Sequence, residues 1–218
     1  MTTALKIDFV SDIACPWCAV GLGALEQALD ELKNEVQAEL HFQPFELNPH
    51  MPEGGEDLGE HLGKKYGSSA EQQAQMYQNI KARGAEVGFA FHPTGRGRIY
   101  NTFDAHRLLH WAEVKGSPDA QHRLKKAFLE AYQGRGEVIE SHEVLLNIVQ
   151  SLGMDVQAAR AILTSDTYAE EVRAKENFYT SAGIHSVPAV IINDRHLISG
   201  GQPAQVFAQA LRDIAAQA

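Results

Sequence analysis

The sequence has little cysteine, a deficit of basic residues and no long apolar run. Two cysteines in 218 residues exclude a disulfide-scaffolded secreted module and a zinc site built from four thiolates. The formal net charge of -9, from 28 acidic against 19 basic residues, opposes binding to a phosphate backbone, so no nucleic acid partner is predicted. Every apolar stretch is shorter than the roughly 18 residues that a membrane helix needs, so no membrane partner is predicted.

The N-terminal segment MTTALKIDFV lacks an apolar stretch of the length found in secretory signals. We therefore expect a soluble, cytoplasmic protein, in a compartment where thiols are kept reduced. The length of the chain and its 44% hydrophobic content suffice for a domain with a substantial core.

Apolar residues at the start of the chain follow first the period of a strand and then that of a helix. Residues 5–9 alternate between apolar and charged side chains, which predicts a strand with one buried face. From Pro16 to about residue 34, apolar residues recur at spacings of three and four, which predicts an amphipathic helix. Residues 40–45 predict a second strand. The chain therefore opens β-α-β, the order of a parallel strand pair.

The end of the chain predicts a β-hairpin and a final helix. Residues 188–192 and 196–198 have the composition of strands, and Asn193-Asp194 between them is a turn pair. An apolar stripe then predicts a helix beyond Pro203.

The middle of the chain carries repeated helix start and stop signals and no convincing strand. We therefore predict a helical insertion domain at residues 57–182. The remaining segments, 1–56 and 183–218, form one discontinuous domain.

Both cysteines lie in the sequence CPWC, where the first strand meets the first helix. With Cys15 as N-cap and Pro16 as the first helical residue, the free N–H groups of Trp17 and Cys18 and the helix dipole favour a thiolate on Cys15. Cys15 is therefore the predicted attacking sulfur. Cys18, one turn into the helix, faces away from solvent and is the predicted resolving thiol.

Two other interpretations of the cysteine pair stay open. Neighbouring cysteines are often small buried hydrophobic residues, although a junction position with an internal proline argues against that. A zinc site would need histidine ligands, and His106 with His110 is the one tight pair on a predicted helix. A solvated or core-edge helix face explains that pair better, so no metal site is predicted.

CPWC after a strand, together with residues 186–190 (SVPAV), resembles the two signatures of the DsbA-like branch of the thioredoxin superfamily. Within that branch the chain resembles the FrnE-like proteins, relatives of 2-hydroxychromene-2-carboxylate isomerases and kappa-class glutathione transferases. The segments that carry this second resemblance are Phe45-Glu46-Leu47-Asn48-Pro49, Asn101-Thr102 to Arg107-Leu108, and Gly200-Gly201-Gln202. The resemblance spans essentially the whole chain. It implies an α/β thioredoxin fold, β-α-β then β-β-α, with a large all-helical insertion.

The resemblance also implies a cis peptide bond at Val187-Pro188, lying against CPWC, where the backbone of Val187 pairs with an extended substrate. Taken alone, Pro188 would be interpreted as an ordinary proline that starts a strand, and only its partnership with CPWC reverses that interpretation. The middle residues of the motif, Pro16 and Trp17, set how readily Cys15 ionises. The implied activity is thiol-disulfide exchange.

Two other functions compete with that activity. The first is a glutathione-dependent isomerase or transferase of the 2-hydroxychromene-2-carboxylate isomerase type. Those relatives place a serine at the first motif position and usually an acidic residue where this chain has Gln202. The second is a non-catalytic thioredoxin-fold binding module.

The predicted partner is a disulfide or thiol substrate. No bound cofactor is predicted, and glutathione is left open as reductant or co-substrate. Four aromatic residues in the predicted insertion leave a small aromatic or polyketide-like substrate open, although core packing explains them better: Phe89, Phe91, Tyr100 and Trp111. Relatives with a large helical block are often dimers, which leaves a homodimer open.

Overall fold

A computed structural model describes residues 2–217 of the chain. The strands are β1 (Thr3–Ser11), β2 (Val36–Pro44), β3 (Glu56–Asp57), β4 (Arg98–Ile99), β5 (Ala189–Ile192) and β6 (His196–Ser199). The helices are α1 (Pro16–Glu31), α2 (Leu58–Tyr66), α3 (Ala70–Glu86), α4 (Phe103–Lys115), α5 (Ala120–Leu129), α6 (His142–Ser151), α7 (Val156–Leu163), α8 (Ala169–Ser181) and α9 (Ala204–Ala215). A π-helical turn, Glu130–Gly134, continues α5.

The main sheet has the strand order β2-β1-β5-β6. β1 and β2 are parallel, whereas β5 is antiparallel to both β1 and β6. The hairpin turns at Asn193 and Asp194, whose φ angles of 51° and 57° are left-handed, as a tight hairpin requires. The predicted β-α-β opening and the C-terminal hairpin with its helix are confirmed.

The segment between β2 and β5 is helical, as expected, except at one place. β3 pairs antiparallel with β4 through Glu56–Asp57 and Arg98–Ile99. Strands of two residues are too short to produce a recognisable period, which is why this ladder escaped prediction. None of the helices within residues 2–217 has the length and apolar character needed to cross a membrane.

Buried apolar residues form two large clusters that meet at the loop between β1 and α1. One cluster joins the sheet to α1 and α9 and contains both cysteines. The other fills the helical insertion, yet it includes Ile13 and Ala14, the two residues just before CPWC. The insertion core therefore holds the chain immediately ahead of the first cysteine. The boundaries at 57–182 stay a prediction.

Candidate active site

The CPWC motif lies where β1 ends and α1 begins. Cys15 is the N-cap, with φ -90° and ψ 113°, and Pro16 opens the helix, which is the predicted arrangement. Cys15 keeps 5% of its surface exposed, whereas Cys18 keeps none. Cys18 therefore faces the core, and Cys15 is the more exposed of the two cysteines.

The Cys15 thiol donates a hydrogen bond to the Val187 carbonyl oxygen, with an Sγ–O distance of 3.4 Å. The peptide bond between Val187 and Pro188 is cis, and this loop lies directly against the motif. The predicted capping bonds from Trp17 and Cys18 to the Cys15 sulfur are not formed in the part of the chain that the structure describes. A protonated thiol has a hydrogen to donate, and the Val187 oxygen accepts it.

The two thiols differ strongly in acidity. The Cys18 side chain lowers the pKa of Cys15, and the amides of Cys18 and Trp17 act in the same direction, so that together they outweigh burial. Burial raises the pKa of Cys18 well above its usual range, and the neighbouring Cys15 sulfur raises it further. The site therefore favours negative charge on Cys15 and keeps the proton on Cys18.

Glycines allow the Pro188 loop and the turn after β6 to pack closely on α1. A Cβ on Gly21 would lie 2.9 Å from Pro188 Cγ, and one on Gly201 would lie 3.1 Å from the Trp17 oxygen. The Gly200 N–H donates to the Pro188 oxygen at 2.8 Å. Segments far apart in the chain thus meet at one site, including the predicted positioning residues Trp17 and Pro188.

Asp12 is a buried carboxylate three residues before the motif. Its Oδ1 accepts from the Ala14 N–H at 3.0 Å and from the Thr102 hydroxyl at 2.8 Å, and its Oδ2 accepts from the Leu47 N–H at 2.7 Å. His106 Nε2 lies 3.5 Å from Oδ1. Burial alone would raise the pKa of Asp12, but His106 and the two amides outweigh it and lower the pKa. Asp12 is therefore an ionised anchor for the loop that carries the first cysteine.

The helical insertion holds the same loop through backbone oxygens. Arg96 donates to the Ala14 oxygen at 2.6 Å and stacks over the Tyr132 ring, 4.6 Å from its centroid. Gln133 donates to the Ile13 oxygen at 2.7 Å. These contacts fix the direction in which α1 starts, and with it the position of both sulfurs.

Sequence reasoning missed the residues that support the motif from outside it: Asp12, Arg96, Thr102 and Gln133. Of these residues, only Asp12 could have been recognised from the sequence. An acidic residue between an apolar strand and a buried motif needs several hydrogen-bond partners. Thr102 lies 90 positions from Asp12, and Gln133 lies 120 positions from Ile13, so no local pattern connects them.

The aromatic residues considered for a substrate cleft belong to the interior. Phe91, Tyr100 and Trp111 are buried, and half-buried Phe89 packs on Phe91 at a centroid distance of 4.7 Å. The core interpretation is therefore the right one, because apolar contact already covers these rings.

The histidine pair and the cysteines do not form a metal centre. His106 is buried against Asp12, and His110 Nδ1 lies 3.7 Å from Glu113. Between residues 2 and 217, no group of three or more histidine, cysteine, aspartate or glutamate side chains is arranged to hold a metal ion.

Replacing Gly21 with alanine is expected to destabilise the fold by about 1–3 kcal/mol, because the new methyl group overlaps the Pro188 ring and rigid rings cannot yield. The matched control is Gly63→Ala in α2, where the nearest atom to the new Cβ is the Ser68 oxygen at 3.7 Å. That change should stabilise by about 0.5–1 kcal/mol, as alanine does in a helix interior. Urea unfolding of both variants measures the difference, and equal stabilities would contradict the close packing of α1 on Pro188.

Comparison with known proteins gives a consistent result over nearly the whole chain. The family model described as DSBA-like thioredoxin domain matches residues 6–212. The crystal structure of a probable DsbA oxidoreductase from Streptomyces coelicolor is 34% identical in sequence, with a TM-score of 0.88, and the match covers 98% of this chain and 90% of that one.

Two more distant structures share the fold. A 2-hydroxychromene-2-carboxylate isomerase is 15% identical with a TM-score of 0.72, and the match covers 97% of each chain. The cytosolic disulfide reductase DsbM from Pseudomonas aeruginosa, solved with GSH, is 15% identical with a TM-score of 0.64 over 96% of this chain and 98% of that one.

Proposed function

The chain belongs to the family of DSBA-like thioredoxin domains, and from that premise we propose that it is a thiol-disulfide oxidoreductase. Cys15 is the attacking sulfur and Cys18 is the resolving thiol. Pro16 and Trp17 tune the first sulfur, and the Val187-Pro188 loop positions the substrate beside it.

One observation carries the proposal: the two thiols of the motif are differentiated as an exchange reaction requires. Cys15 has a lowered pKa and the outer position, and Cys18 is fully buried with a raised pKa. The thiolate is the nucleophile in disulfide exchange, and a good leaving group is a sulfur of low pKa. Structural cysteines in a core have no need of this asymmetry.

In the proposed reaction, the Cys15 thiolate attacks one sulfur of a substrate disulfide, which forms a mixed disulfide and releases the first substrate thiolate. Cys18 then attacks the Cys15 sulfur. The Cys15–Cys18 bond forms, the bond to the substrate breaks, and the second substrate thiol leaves. The two electrons that reduce the substrate come from the two cysteines. Two glutathione molecules restore the dithiol and leave as glutathione disulfide.

The contact between Cys15 and Val187 supports the positioning role of the loop. The Val187 oxygen lies 3.4 Å from the reactive sulfur, so an extended peptide that paired with this backbone would bring its own disulfide to Cys15. The same oxygen accepts the thiol hydrogen before the substrate arrives.

We propose that the protein works in the reducing direction and in the cytosol. DsbA-like oxidants tend to carry a histidine where this motif has Trp17, and an indole offers no charge to stabilise the thiolate further. The dithiol should therefore be less oxidising than theirs. The disulfide reductase DsbM, which shares the fold, is cytosolic.

The second candidate is a glutathione-dependent isomerase or transferase, favoured by the structural likeness to 2-hydroxychromene-2-carboxylate isomerase. A sulfur at position 15, where those relatives use serine, counts against it. Gln202 also counts against it, because those relatives usually have an acidic residue at this position after the glycine.

Equilibration with buffers of reduced and oxidised glutathione tests the proposal. We expect the protein to interconvert between a dithiol and a form lighter by two hydrogen atoms, measured as intact mass after acid quenching. The midpoint should lie at a more reducing potential than that of the strong periplasmic oxidants. An isomerase would bind glutathione and stay a dithiol, and a binding module would neither oxidise nor bind it. Either of these outcomes would overturn the proposal.

A further inference from the structure

One face of α5 and its π-helical turn points at the sheet domain. Gln121, Lys125, Leu129 and Gln133 follow one another at a spacing of four, which places them on one side of a helix. The Gln121 side chain bonds both the N–H and the oxygen of Phe42 on β2, each at 2.9 Å.

Further along this face, Leu129 packs in the core cluster that contains both cysteines. Gln133 bonds the chain just before the motif at 2.7 Å. Lys125 therefore lies between Gln121 and Leu129 on this face, next to the core cluster that contains both cysteines.

Lys125 is fully buried, and its amine has no hydrogen-bond partner among residues 2–217. A buried lysine is normally paired, because an unpaired buried cation is costly. The next residue shows the ordinary alternative: Lys126 is half exposed and pairs with Glu26 at 2.9 Å. If position 125 served only to fill the core, an apolar side chain would be expected there.

The charged groups that act on the pKa of the Lys125 amine belong to the redox site. Burial lowers the pKa of Lys125, and the charges of Cys18, Asp12 and Cys15, in that order, oppose the effect without cancelling it. The positive charge of Lys125 in turn lowers the pKa of Cys18, against the larger effect of burial. Lys125 and Cys18 are thus electrostatically coupled in both directions.

We propose that Lys125 accepts the thiol proton of Cys18 when Cys18 resolves the mixed disulfide. This inference rests on the proposed function and assigns a proton acceptor to its second step. The proton passes from Cys18 to the neutral amine, which becomes an ammonium. The Cys18 thiolate then forms the bond to Cys15, the bond from Cys15 to the substrate sulfur breaks, and the substrate leaves as a thiolate. Lys125 returns the proton to Cys18 when the disulfide is reduced again.

Asp12, whose charge also acts on the pKa of Lys125, is a poor candidate for the same task. Its two oxygens already accept three hydrogen bonds, and its lowered pKa makes it a weak base. His106 is directed at Asp12, with its Nε2 3.5 Å from Oδ1. Lys125 is the buried base that keeps a free lone pair when neutral.

The test follows the reaction with 5,5′-dithiobis(2-nitrobenzoate) by stopped flow. The first chromophore is released when Cys15 is modified, and the second is released when Cys18 displaces the first adduct. In Lys125→Met we expect an unchanged first phase and a second phase slower by about a hundredfold, the lower end of the range for proton transfer catalysis. The matched control, Lys126→Met, should keep both phases.

The pH dependence separates proton transfer from a structural role. Without an internal acceptor, the second phase should depend on the small fraction of free Cys18 thiolate, so its rate in Lys125→Met should rise about tenfold per pH unit near neutrality. The wild-type profile should be flatter. Lys125→Met should unfold at the same or a higher urea concentration, because it removes a buried amine that has no hydrogen-bond partner in the described part of the chain. A variant with the wild-type second phase and the wild-type profile would overturn the assignment.

A measurement on the wild-type protein does not depend on the folding of any variant. With lysines labelled at Cε, the Lys125 resonance should titrate at a higher pH in the dithiol form than in the disulfide form, because only the dithiol carries thiolate charge. Equal titration in both forms would contradict the coupling. A wild-type protein that shows no second chromophore release would instead overturn the proposed function, since Cys18 would then not resolve.

Discussion

Cys15→Ser is expected to abolish disulfide reduction, lowering the rate to the uncatalysed level, while the fold stays intact. The hydroxyl of serine does not ionise near neutral pH and cannot form the mixed disulfide, whereas the lowered pKa of Cys15 makes it the nucleophile. The change is nearly isosteric at a residue with 5% exposure. Reduction of a mixed disulfide between glutathione and a peptide, with excess glutathione as reductant, measures the loss.

Cys18→Ser is the matched control for that prediction. With a peptide disulfide as substrate and no glutathione present, it should react once and accumulate a stable mixed disulfide, because Cys15 still attacks and no second thiol is present to release the product. Intact mass would show the added peptide. Turnover by Cys15→Ser at the wild-type rate would contradict the assignment of the attacking sulfur.

Asp12→Ala is expected to lower the free energy of unfolding by about 3–5 kcal/mol, the cost of removing one side of a buried charged network. The change leaves Thr102 and the amides of Ala14 and Leu47 without their acceptor. Since these groups hold the loop ahead of CPWC, the start of α1 should loosen and activity should fall as well. Chemical denaturation at neutral pH measures the loss of stability.

Asp12→Asn is the control that separates charge from shape. It keeps one oxygen acceptor and should lose about 1–3 kcal/mol, the cost of an imperfect buried hydrogen bond. Because Asp12 raises the pKa of Cys15, alkylation of Cys15 should saturate at a lower pH in this variant.

The stability difference between the wild type and Asp12→Asn also has a predicted pH dependence. Folding lowers the pKa of Asp12, so its contribution is complete at neutral pH. It is lost only as the pH falls from the unfolded value, about 3.9, through the lower folded value. A difference that is constant from pH 7 to well below 4 would contradict an ionised Asp12.

Features with a local origin could be predicted from the sequence. The alternation in residues 5–9 and the position of Pro16 after Cys15 are enough to define the strand-to-helix junction, because side-chain period and helix capping act over a few residues. The hairpin turn at Asn193-Asp194 has the same kind of local cause.

Features that depend on distant pairing could not be predicted. Nothing near Lys125 in the sequence distinguishes it from Lys126, and only the packing of α5 on the sheet buries the first and exposes the second. In the sequence, Gln133 is indistinguishable from an ordinary polar residue, and nothing identifies the partners of Asp12. Their role is visible only in the folded structure, where the insertion core packs against the loop before the motif. The support of the site is therefore a property of the assembled fold, whereas its cysteines belong to a local motif.

The central claim is that Cys15 is the sulfur that receives the substrate and that Cys18 follows it. The most direct measurement is a rapid acid quench of the wild-type protein during turnover of a peptide disulfide, followed by mapping of the trapped adduct. We predict that the substrate is attached to Cys15 at early times and that it is replaced by the Cys15–Cys18 disulfide. Attachment to Cys18, or the absence of any adduct while substrate is consumed, would contradict it.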